Sequence, residues 1–332
     1  MRLAAHDGVQ RVVAIDDHRG DLAGVLWRVL DVRDPLIAER LGGVDTVVHL
    51  AVDTSVGADR RARTALNVRG TQTVLTAAAA AGVKRVVLCT SAMVYGAHAD
   101  NPLPLDEDAP LRATEDGSLV SDLLEIERLA ERAPRSHPGL SVTVVRPAIV
   151  VGPTLDSVLT RHFEAPRLLV VRDSRPAWQF CHIDDLVSAL GYAALGLVEG
   201  TVTVGCEGWL EQEDVERVSG LRRIELPAAV AFGTAERLHR LGVIPALASD
   251  LDYVTYPWVV PSTRLRAAGW RPVYDNLTAL EVLLAQSEGR HAIAARRIGR
   301  RDATIGAAGA TVAILGTAAV VRRARKKRRT DG

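Results

Sequence analysis

The sequence predicts an α/β protein: a doubly wound, mostly parallel β-sheet, then a smaller C-terminal lobe and an apolar, basic tail. Short apolar runs rich in Val, Leu and Ile alternate with longer helical stretches, which is typical of parallel sheets. Aromatic residues make up only 4% of the chain, so small aliphatic side chains dominate, as they do where helices pack closely on parallel strands. The length of 332 residues suffices for one large α/β domain or two modest ones.

The first half of the chain contains the predicted sheet elements. Strand-type runs, each too short for a helix, lie at 9–16, 25–31, 46–51, 85–90 and 141–146. Helical stretches lie between them at 34–41, 64–81 and 119–133. The stretch 64–81 is rich in alanine and stops at Gly82, and we expect it to be one of the longest helices. We also expect 46–51 and 85–90 to form adjacent parallel strands.

After Gly152 and Pro153 the pattern loosens into mixed helices and short strands, such as 168–171 and 201–205. The composition changes again at Arg290. We therefore divide the chain into a sheet domain (1–152), a substrate lobe (153–289) and a tail (290–332).

Charge and cysteine content exclude several classes of protein. From Arg290 onward the sequence contains twelve arginines and lysines but only two acids, a local charge of about +10. Since the net charge is +1, residues 1–289 carry about −9, which makes this part of the chain a poor nucleic-acid binder. The three cysteines are odd in number and lack metal-ligand spacing, which argues against a disulfide framework or a zinc ribbon, and we expect no metal site. No leader pattern opens the chain, so a cytoplasmic protein is expected.

The tail contains nineteen uncharged residues at 303–321, with arginines before them and seven basic residues at 322–329. One interpretation is a helix lying on an anionic membrane surface, where basic residues are favoured. The alternative is an Ala- and Gly-rich helix that packs on the body or on a partner chain.

Five segments carry recognisable motifs in a fixed order. They are VDTVVHLA at 44–51, NVRGT at 67–71, SAMVYG at 91–96, Arg146-Pro147 with Gly152-Pro153, and FCHIDDL at 180–186. Together they resemble the extended short-chain dehydrogenase/reductase family, specifically its NAD-dependent epimerase/dehydratase group. The resemblance implies a Rossmann-like fold, with ligands at the carboxyl ends of the strands.

The resemblance also implies NAD as cofactor. Asp16, at a strand end, would bind the ribose hydroxyls, and its charge favours NAD over NADP, although Arg19 lies close in sequence. Asp31 and Val32 match the adenine contact, and Asn67 matches a helix-kinking residue near the active site. The implied cofactor-side residues are Asp16, Asp31, Val32, Leu50, Ala51, Asn67 and Pro147. The alternatives are a plain strand-end acid for Asp16 and an ordinary exposed helix residue for Asn67.

The amino terminus departs from the family pattern. The family begins with a strand and a Gly-x-x-Gly-x-x-Gly turn that holds the pyrophosphate, whereas residues 1–6 look like the end of the following helix. That strand would be central, so its loss leaves unpaired backbone on both neighbouring strands. We expect either a start upstream of Met1 or an unusual closure of the sheet.

The catalytic centre departs as well. The family uses Tyr-x-x-x-Lys, and the matching positions here are Leu119 and Leu123. The only lysine before residue 326 is Lys84, so no shift of the alignment restores the pair. Ser91 keeps the place of the family's substrate-orienting hydroxyl, but it also fits a strand-end serine bonded to backbone.

Other polar residues have plainer interpretations. We expect the helix acids Asp122, Glu125 and Glu127 to form a solvated face, and His182 to begin a helix beneath the substrate cleft.

Two main functions remain open at this stage, beside a third interpretation, a membrane-associated steroid-type dehydrogenase, that only the apolar tail suggests. The first is an NAD-dependent epimerase/dehydratase-like protein with a degraded catalytic centre, acting on or binding a nucleotide-sugar-like or other small hydroxyl or carbonyl compound. The second is a non-catalytic sensor or scaffold that binds a dinucleotide or metabolite and is tethered at the membrane. A small-molecule ligand is the expected partner in both, with a homodimer left open.

Overall fold

The computed structural model describes residues 3–290, 292–293 and 296–297. The strands are β1 (Val12–Asp16), β2 (Val25–Val29), β3 (Thr46–His49), β4 (Arg85–Cys89), β5 (Ser141–Pro147), β6 (Ile149–Val151), β7 (Leu168–Val171), β8 (Ala177–Trp178), β9 (Phe180–His182), β10 (Thr201–Val204), β11 (Leu210–Glu211), β12 (Arg223–Leu226), β13 (Ala292–Ile293) and β14 (Arg296–Arg297). The α-helices are α1 (Ile37–Arg40), α2 (Arg60–Thr64), α3 (Gly70–Ala80), α4 (Leu119–Ser136), α5 (Val158–His162), α6 (Ile183–Ala194), α7 (Gln212–Ser219), α8 (Ala228–Arg240), α9 (Thr263–Ala267) and α10 (Asn276–Ser287). Short 3-10 helices span Leu3–Ala5, Ala92–Tyr95 and Ala248–Val254, and a π-helical turn spans Ala65–Arg69.

The main sheet has four parallel strands in the order β10-β5-β4-β3. His49 of β3 lies opposite Leu88 of β4, so the predicted adjacency of these two strands is confirmed. The α/β class with a parallel central sheet is confirmed with it. The register brings the carboxyl ends of β3, β4 and β5 to one edge of the sheet, where the candidate site lies.

Strands β1 and β2 form a separate two-stranded parallel sheet, with Val12 opposite Val25. Within the described ranges, no strand pairs with the second edge of β1 or with the outer edge of β3. Apolar side chains on β2 are correspondingly open to solvent, with Leu26 46% and Val29 60% exposed. The sheet is thus divided at the place where the sequence departs from the family pattern.

Helices cover both faces of the main sheet. Alternate residues of β4 point to opposite faces, because side chains alternate along a strand. Val86 and Leu88 pack with Leu123 of α4, whereas Val87 packs in the cluster that contains Ala189 of α6. This two-sided burial holds the strand ends in fixed positions.

Several predicted bounds differ from the observed ones. The predicted helix 64–81 begins four residues earlier, at Arg60, because Asp59 caps it by accepting the Ala62 amide at 2.9 Å. It then runs through the π-helical turn to Ala80. The helix predicted at 34–41 is reduced to α1, and α4 continues past the predicted end at residue 133 through Pro134 to Ser136.

Residues after 152 build both a second lobe and part of the main sheet. The lobe contains the strand pairs β6-β9, β7-β12 and β8-β11. Helix α6 and strand β10, however, return to the main sheet, where Thr201 lies opposite Val144. The division after residue 152 stays a prediction about domains, and these two elements cross it.

The predicted apolar segment 303–321 lies outside the described residues. Among the described ones, none of the helices combines the length and apolar character needed to cross a membrane.

Candidate ligand-binding site

The chain turns sharply where β3 leaves the sheet. The Val52 amide donates to the Leu50 carbonyl at 2.8 Å, so the strand ends at His49, before the predicted Leu50 and Ala51. The Leu50 side chain is 56% exposed and Ala51 is half-buried, which leaves this strand end open to a ligand.

Asp16 and its neighbours form an exposed polar group at the end of β1. The His18 amide donates to an Asp16 carboxylate oxygen at 3.1 Å, and the His18 ring contacts Asp17 at 2.6 Å. This hydrogen bond to Asp17 raises the pKa of His18. The three side chains bring possible metal-ligand atoms within 4.8 Å of one another, a grouping that sequence reasoning missed. Exposed acids of this kind are common without an ion.

Asp31 and Val32, the predicted adenine contacts, have other partners in the structure. The Asp31 carboxylate accepts the Arg33 amide at 2.8 Å and the Arg33 Nε at 2.9 Å. The Arg33 side chain thereby lowers the pKa of Asp31 to about 2. Val32 is only 8% exposed and packs in the core beside Gly70, where an added Cβ would lie 3.0 Å from it. Val32 is therefore closed off in the core, whereas the Asp31 carboxylate is partly exposed and already paired with Arg33.

Asn67 is fully buried within the π-helical turn, so its interpretation as an ordinary exposed helix residue is wrong. Its Oδ1 accepts the Asp53 amide at 2.7 Å, and its Nδ2 donates to the Asp53 carbonyl at 3.1 Å. Nδ2 also lies 3.3 Å from the Asp122 carboxylate. Asn67 therefore holds the segment after β3 against α4.

The predicted solvated face of α4 is wrong for two of its three acids. Asp122 is 4% exposed and accepts hydrogen bonds from Arg63 Nε at 2.8 Å and the Thr64 hydroxyl at 2.7 Å. Arg63 also donates to the Gly117 carbonyl at 2.7 Å. Asp122 directly precedes Leu123, which occupies the position of the family's lysine. The negative charge of Asp122 is already paired with Arg63.

Glu127, the second buried acid, is 6% exposed and forms a bidentate pair with Arg146 at 2.9 and 2.8 Å. The Thr90 hydroxyl donates to the same carboxylate at 2.6 Å, and Arg146 donates to the Tyr95 hydroxyl at 2.8 Å. The next residue, Pro147, is buried opposite Val204. This network joins the ends of β4 and β5 to α4.

The residues at the catalytic positions are apolar or already bonded. Leu119 begins α4 and is half-buried, and Leu123 is 3% exposed in the core. The Ser91 hydroxyl accepts the Met93 amide at 3.2 Å as the cap of a 3-10 helix. This contact fits the strand-end serine of the alternative interpretation, and the substrate-orienting role of Ser91 stays a prediction.

A narrow cleft opens beside this end of β4. It measures about 300 Å³ including the part open to solvent, and three segments line it: 96–98, 113–120 and 249–253. Burial raises the pKa of Asp250 and of Asp252, which both line the cleft, to about 6. The hydroxyl of Ser249 donates to Asp116 and joins two of the segments. Sequence reasoning missed this cleft.

A dinucleotide fits the described residues only in part. The exposed carboxylate of Asp16 and the open strand end at Leu50 suit the adenosine half. The described residues contain no Gly-x-x-Gly-x-x-Gly turn that could supply amides to the pyrophosphate. At the nicotinamide end, Leu119 and Leu123 offer no hydrogen bond to a ribose.

Comparison with known proteins gives consistent results. The family model "NAD dependent epimerase/dehydratase family" matches residues 2–204. An uncharacterized protein of Mycobacterium tuberculosis, Rv0501, is 31% identical over 297 residues, covering 84% of this chain and 78% of that protein. A 3beta-hydroxysteroid-dehydrogenase/decarboxylase of Arabidopsis thaliana is 25% identical over 48% of the chain and 37% of its own length.

Solved structures show the same fold. MoeE5 in complex with UDP-glucuronic acid and NAD superposes with a TM-score of 0.63 at 21% identity, over 83% of this chain and 90% of that one. The UDP-glucose 4-epimerase of Thermus thermophilus in complex with NAD gives 0.62 at 19% identity, over 85% and 92%. With the family model matching more than half of the sequence, the chain belongs to the NAD-dependent epimerase/dehydratase family.

Proposed function

We propose that this protein binds a small hydroxyl or carbonyl compound, and a dinucleotide weakly, without transferring hydride. The observation that carries the proposal is the burial of Leu123, at 3% exposure, where the family places its lysine. A leucine packed in the core moves no proton and cannot be displaced by a ligand at small cost.

Neighbouring polar groups do not replace the missing pair. Tyr95 is fully buried, its hydroxyl donates to the Glu107 carbonyl at 2.8 Å, and burial raises its pKa. Asp122 is neutralised by Arg63. Glu125 faces Arg128 and Arg132 on the surface side of α4. Each of these groups thus already has a hydrogen-bond or ion-pair partner within the protein.

The cofactor proposed is NAD, held mainly by its adenosine half. The solved relatives named above contain NAD, which supports the choice. The negative charge of Asp16 would repel a 2′-phosphate and disfavours NADP. Leu119 and Leu123 offer the nicotinamide ribose no hydrogen bond, so that half of the cofactor should contribute little and binding should be weak.

The ligand class rests on the same comparisons. The neighbouring structures contain UDP-glucuronic acid and UDP-glucose, so a nucleotide-sugar-like compound or another small hydroxyl or carbonyl compound is proposed here. A sensor or scaffold role tethered by residues 303–329 is the second form of the proposal, favoured by the basic residues around the apolar segment.

Single-turnover absorbance at the reduced-nicotinamide band tests the proposal, with protein in excess over NAD and UDP-glucose. We expect no band above background, and no change with Ser91→Ala. General acid and base groups contribute roughly 10²–10⁴-fold, so their loss should hide turnover. A band above background with the natural chain would refute the proposal, and its disappearance with Ser91→Ala would assign the chemistry to that serine.

Calorimetric titration tests the cofactor part. We expect weak binding of NAD and weaker binding of NADP, with the difference reduced in Asp16→Asn and kept in the control Asp17→Asn. Tight NAD binding would contradict the proposed weak affinity, and equal effects of the two variants would contradict the assignment of Asp16.

A further inference from the structure

Two neighbouring arginines lie on the second lobe, at the start of the strand pair β7-β12. The Leu168 amide donates to the Arg222 carbonyl at 3.1 Å, and Arg223 lies opposite Leu168. The same register places Arg167 beside Arg222, one residue earlier on each strand. Both arginines are exposed, and neither guanidinium has a hydrogen bond or ion pair within the described part of the chain. Like charges that oppose each other on adjacent strands destabilise a sheet, so an external anion would stabilise this arginine pair.

The acids of these two strands and of α7 already have other arginine partners. They form the pairs Glu213–Arg223, Glu216–Arg223, Asp214–Arg217 and Glu225–Arg172. The arginine pair therefore remains as uncompensated positive charge, although residues 1–289 together carry about −9.

The tail begins close to the arginine pair. The Ala292 amide donates to the Glu164 carbonyl at 3.1 Å, and the Arg290 guanidinium lies 3.9 Å from the Glu164 carboxylate. Three residues lead from Glu164 to Arg167, a span of at most about 11 Å. The sequence that follows contains the seven basic residues at 322–329. The positive charge of the tail is thus attached to the lobe beside the positive charge of the arginine pair.

We propose that the arginine pair docks this edge of the second lobe on an anionic lipid surface. A membrane offers anionic headgroups and an apolar interior, and the tail supplies both the basic residues and the uncharged segment 303–321 that match them. A nucleic acid offers only the anion, and the acidic remainder of the body would repel it. The inference rests on the membrane-tethered form of the proposed function, and it specifies which edge of the body faces the lipid.

The range of the attraction makes the docked edge identifiable. The attraction of an anionic membrane falls off within a Debye length, which is about 8 Å at physiological salt. Arginines elsewhere on the body should therefore contribute little to binding, even where they are equally exposed.

Sedimentation of the 332-residue chain with vesicles tests the inference, using phosphatidylcholine alone or mixed with phosphatidylserine. Each basic residue near an anionic surface contributes about 1 kcal/mol, or about fivefold in binding. We expect Arg167→Gln/Arg222→Gln to weaken binding to the phosphatidylserine vesicles by at least about tenfold, and high salt to reduce this difference. The control Arg11→Gln/Arg40→Gln removes two exposed arginines from the sheet domain and should change the affinity by less than about twofold. Circular dichroism should show the same fold for both double variants, because all four side chains are exposed.

The possible failures are distinguishable. Equal losses in the two double variants, or no loss in Arg167→Gln/Arg222→Gln while the unchanged chain sediments, would overturn the docking edge and leave the tether in place. Failure of the unchanged chain to sediment would refute the tether and the inference with it. Tighter binding to a DNA duplex than to the phosphatidylserine vesicles would also overturn the inference, since the partner would then be a nucleic acid. Turnover with UDP-glucose and NAD would instead refute the proposed binding function and leave the vesicle affinities as they are.

Discussion

Replacing Glu127 by glutamine should destabilise this protein strongly. Both oxygens of its carboxylate accept hydrogen bonds from Arg146, at 2.9 and 2.8 Å, and one of them also accepts a hydrogen bond from the Thr90 hydroxyl. The side chains of Glu127 and Arg146 are only 4% and 8% exposed. Glutamine keeps the shape but removes the charge, so the Arg146 guanidinium would be left buried and uncompensated.

The expected cost follows from that burial. Removing one partner of a buried pair costs about 3–5 kcal/mol, because the other charge keeps its desolvation penalty. Glu125, on the same helix, supplies a matched control, since its side chain is 34% exposed and its partners Arg128 and Arg132 are more exposed still. Glu125→Gln should cost less than about 1 kcal/mol.

Urea unfolding followed by circular dichroism measures both variants. We expect the free energy of unfolding to fall several-fold further for Glu127→Gln than for Glu125→Gln. The double variant Glu127→Leu/Arg146→Met should cost less than Glu127→Gln alone, because no charge is then left unpaired. Equal losses in the two single variants would refute the reasoning that burial, and not the ion pair as such, sets the cost.

Three further predictions concern the core, the cleft and the tail. Leu123→Lys should lower the free energy of unfolding by at least about 3 kcal/mol, because it buries an unpaired ammonium group in the core. Leu119→Tyr, at the half-buried start of α4, should change it little. Thermal or urea denaturation measures both variants. The pKa of Asp250 is about 6 in the folded state and 3.8 in the unfolded state, so the free energy of unfolding should fall as the pH rises from about 4 to 6. Asp250→Asn should remove that fall and stabilise the protein by up to about 3 kcal/mol at pH 7. Melting curves across this pH range measure both effects. The 332-residue chain should sediment with vesicles that contain phosphatidylserine but not with neutral vesicles. Replacing the basic residues at 322–329 by glutamine should abolish this sedimentation. Equal sedimentation with both kinds of vesicle would contradict an electrostatic contact.

The sheet was predictable because its signals are local. Runs such as 46–51 and 85–90 are mostly apolar and lack strict polar–apolar alternation, which is typical of strands buried on both faces. The observed pairing of Thr46 with Arg85 follows from that burial and from the motif order. The early start of the helix at Arg60 was missed because the sequence around Asp59 has little apolar periodicity, and the cap at Asp59 decides the start.

The polar networks were not predictable because their partners come from distant parts of the chain. Asp122 meets an arginine 59 residues earlier, and Glu127 meets one 19 residues later. On the helix alone, these acids are indistinguishable from Glu125, which is on the surface side. The cleft depends on a contact between Asp116 and Ser249, 133 residues apart, and no local pattern encodes it.

Four polar motif residues that this chain retains have structural partners, so they support the fold whatever chemistry the chain carries out. Asn67 fixes the π-helical turn through Asp53, and Ser91 caps a 3-10 helix. Tyr95 bonds Arg146, and His182 caps α6 while its ring stacks on Tyr274 at 3.6 Å. The tyrosine and lysine positions belong to none of these networks, and leucine satisfies the packing of α4 at both. Leucine at these two positions is therefore compatible with the fold, whereas loss of any of the four motif residues would leave a buried polar group or a helix end without its partner. A family resemblance carried by such motifs therefore predicts the architecture of the chain. Whether the chain also shares the family's chemistry depends on the two catalytic positions, which are Leu119 and Leu123 here.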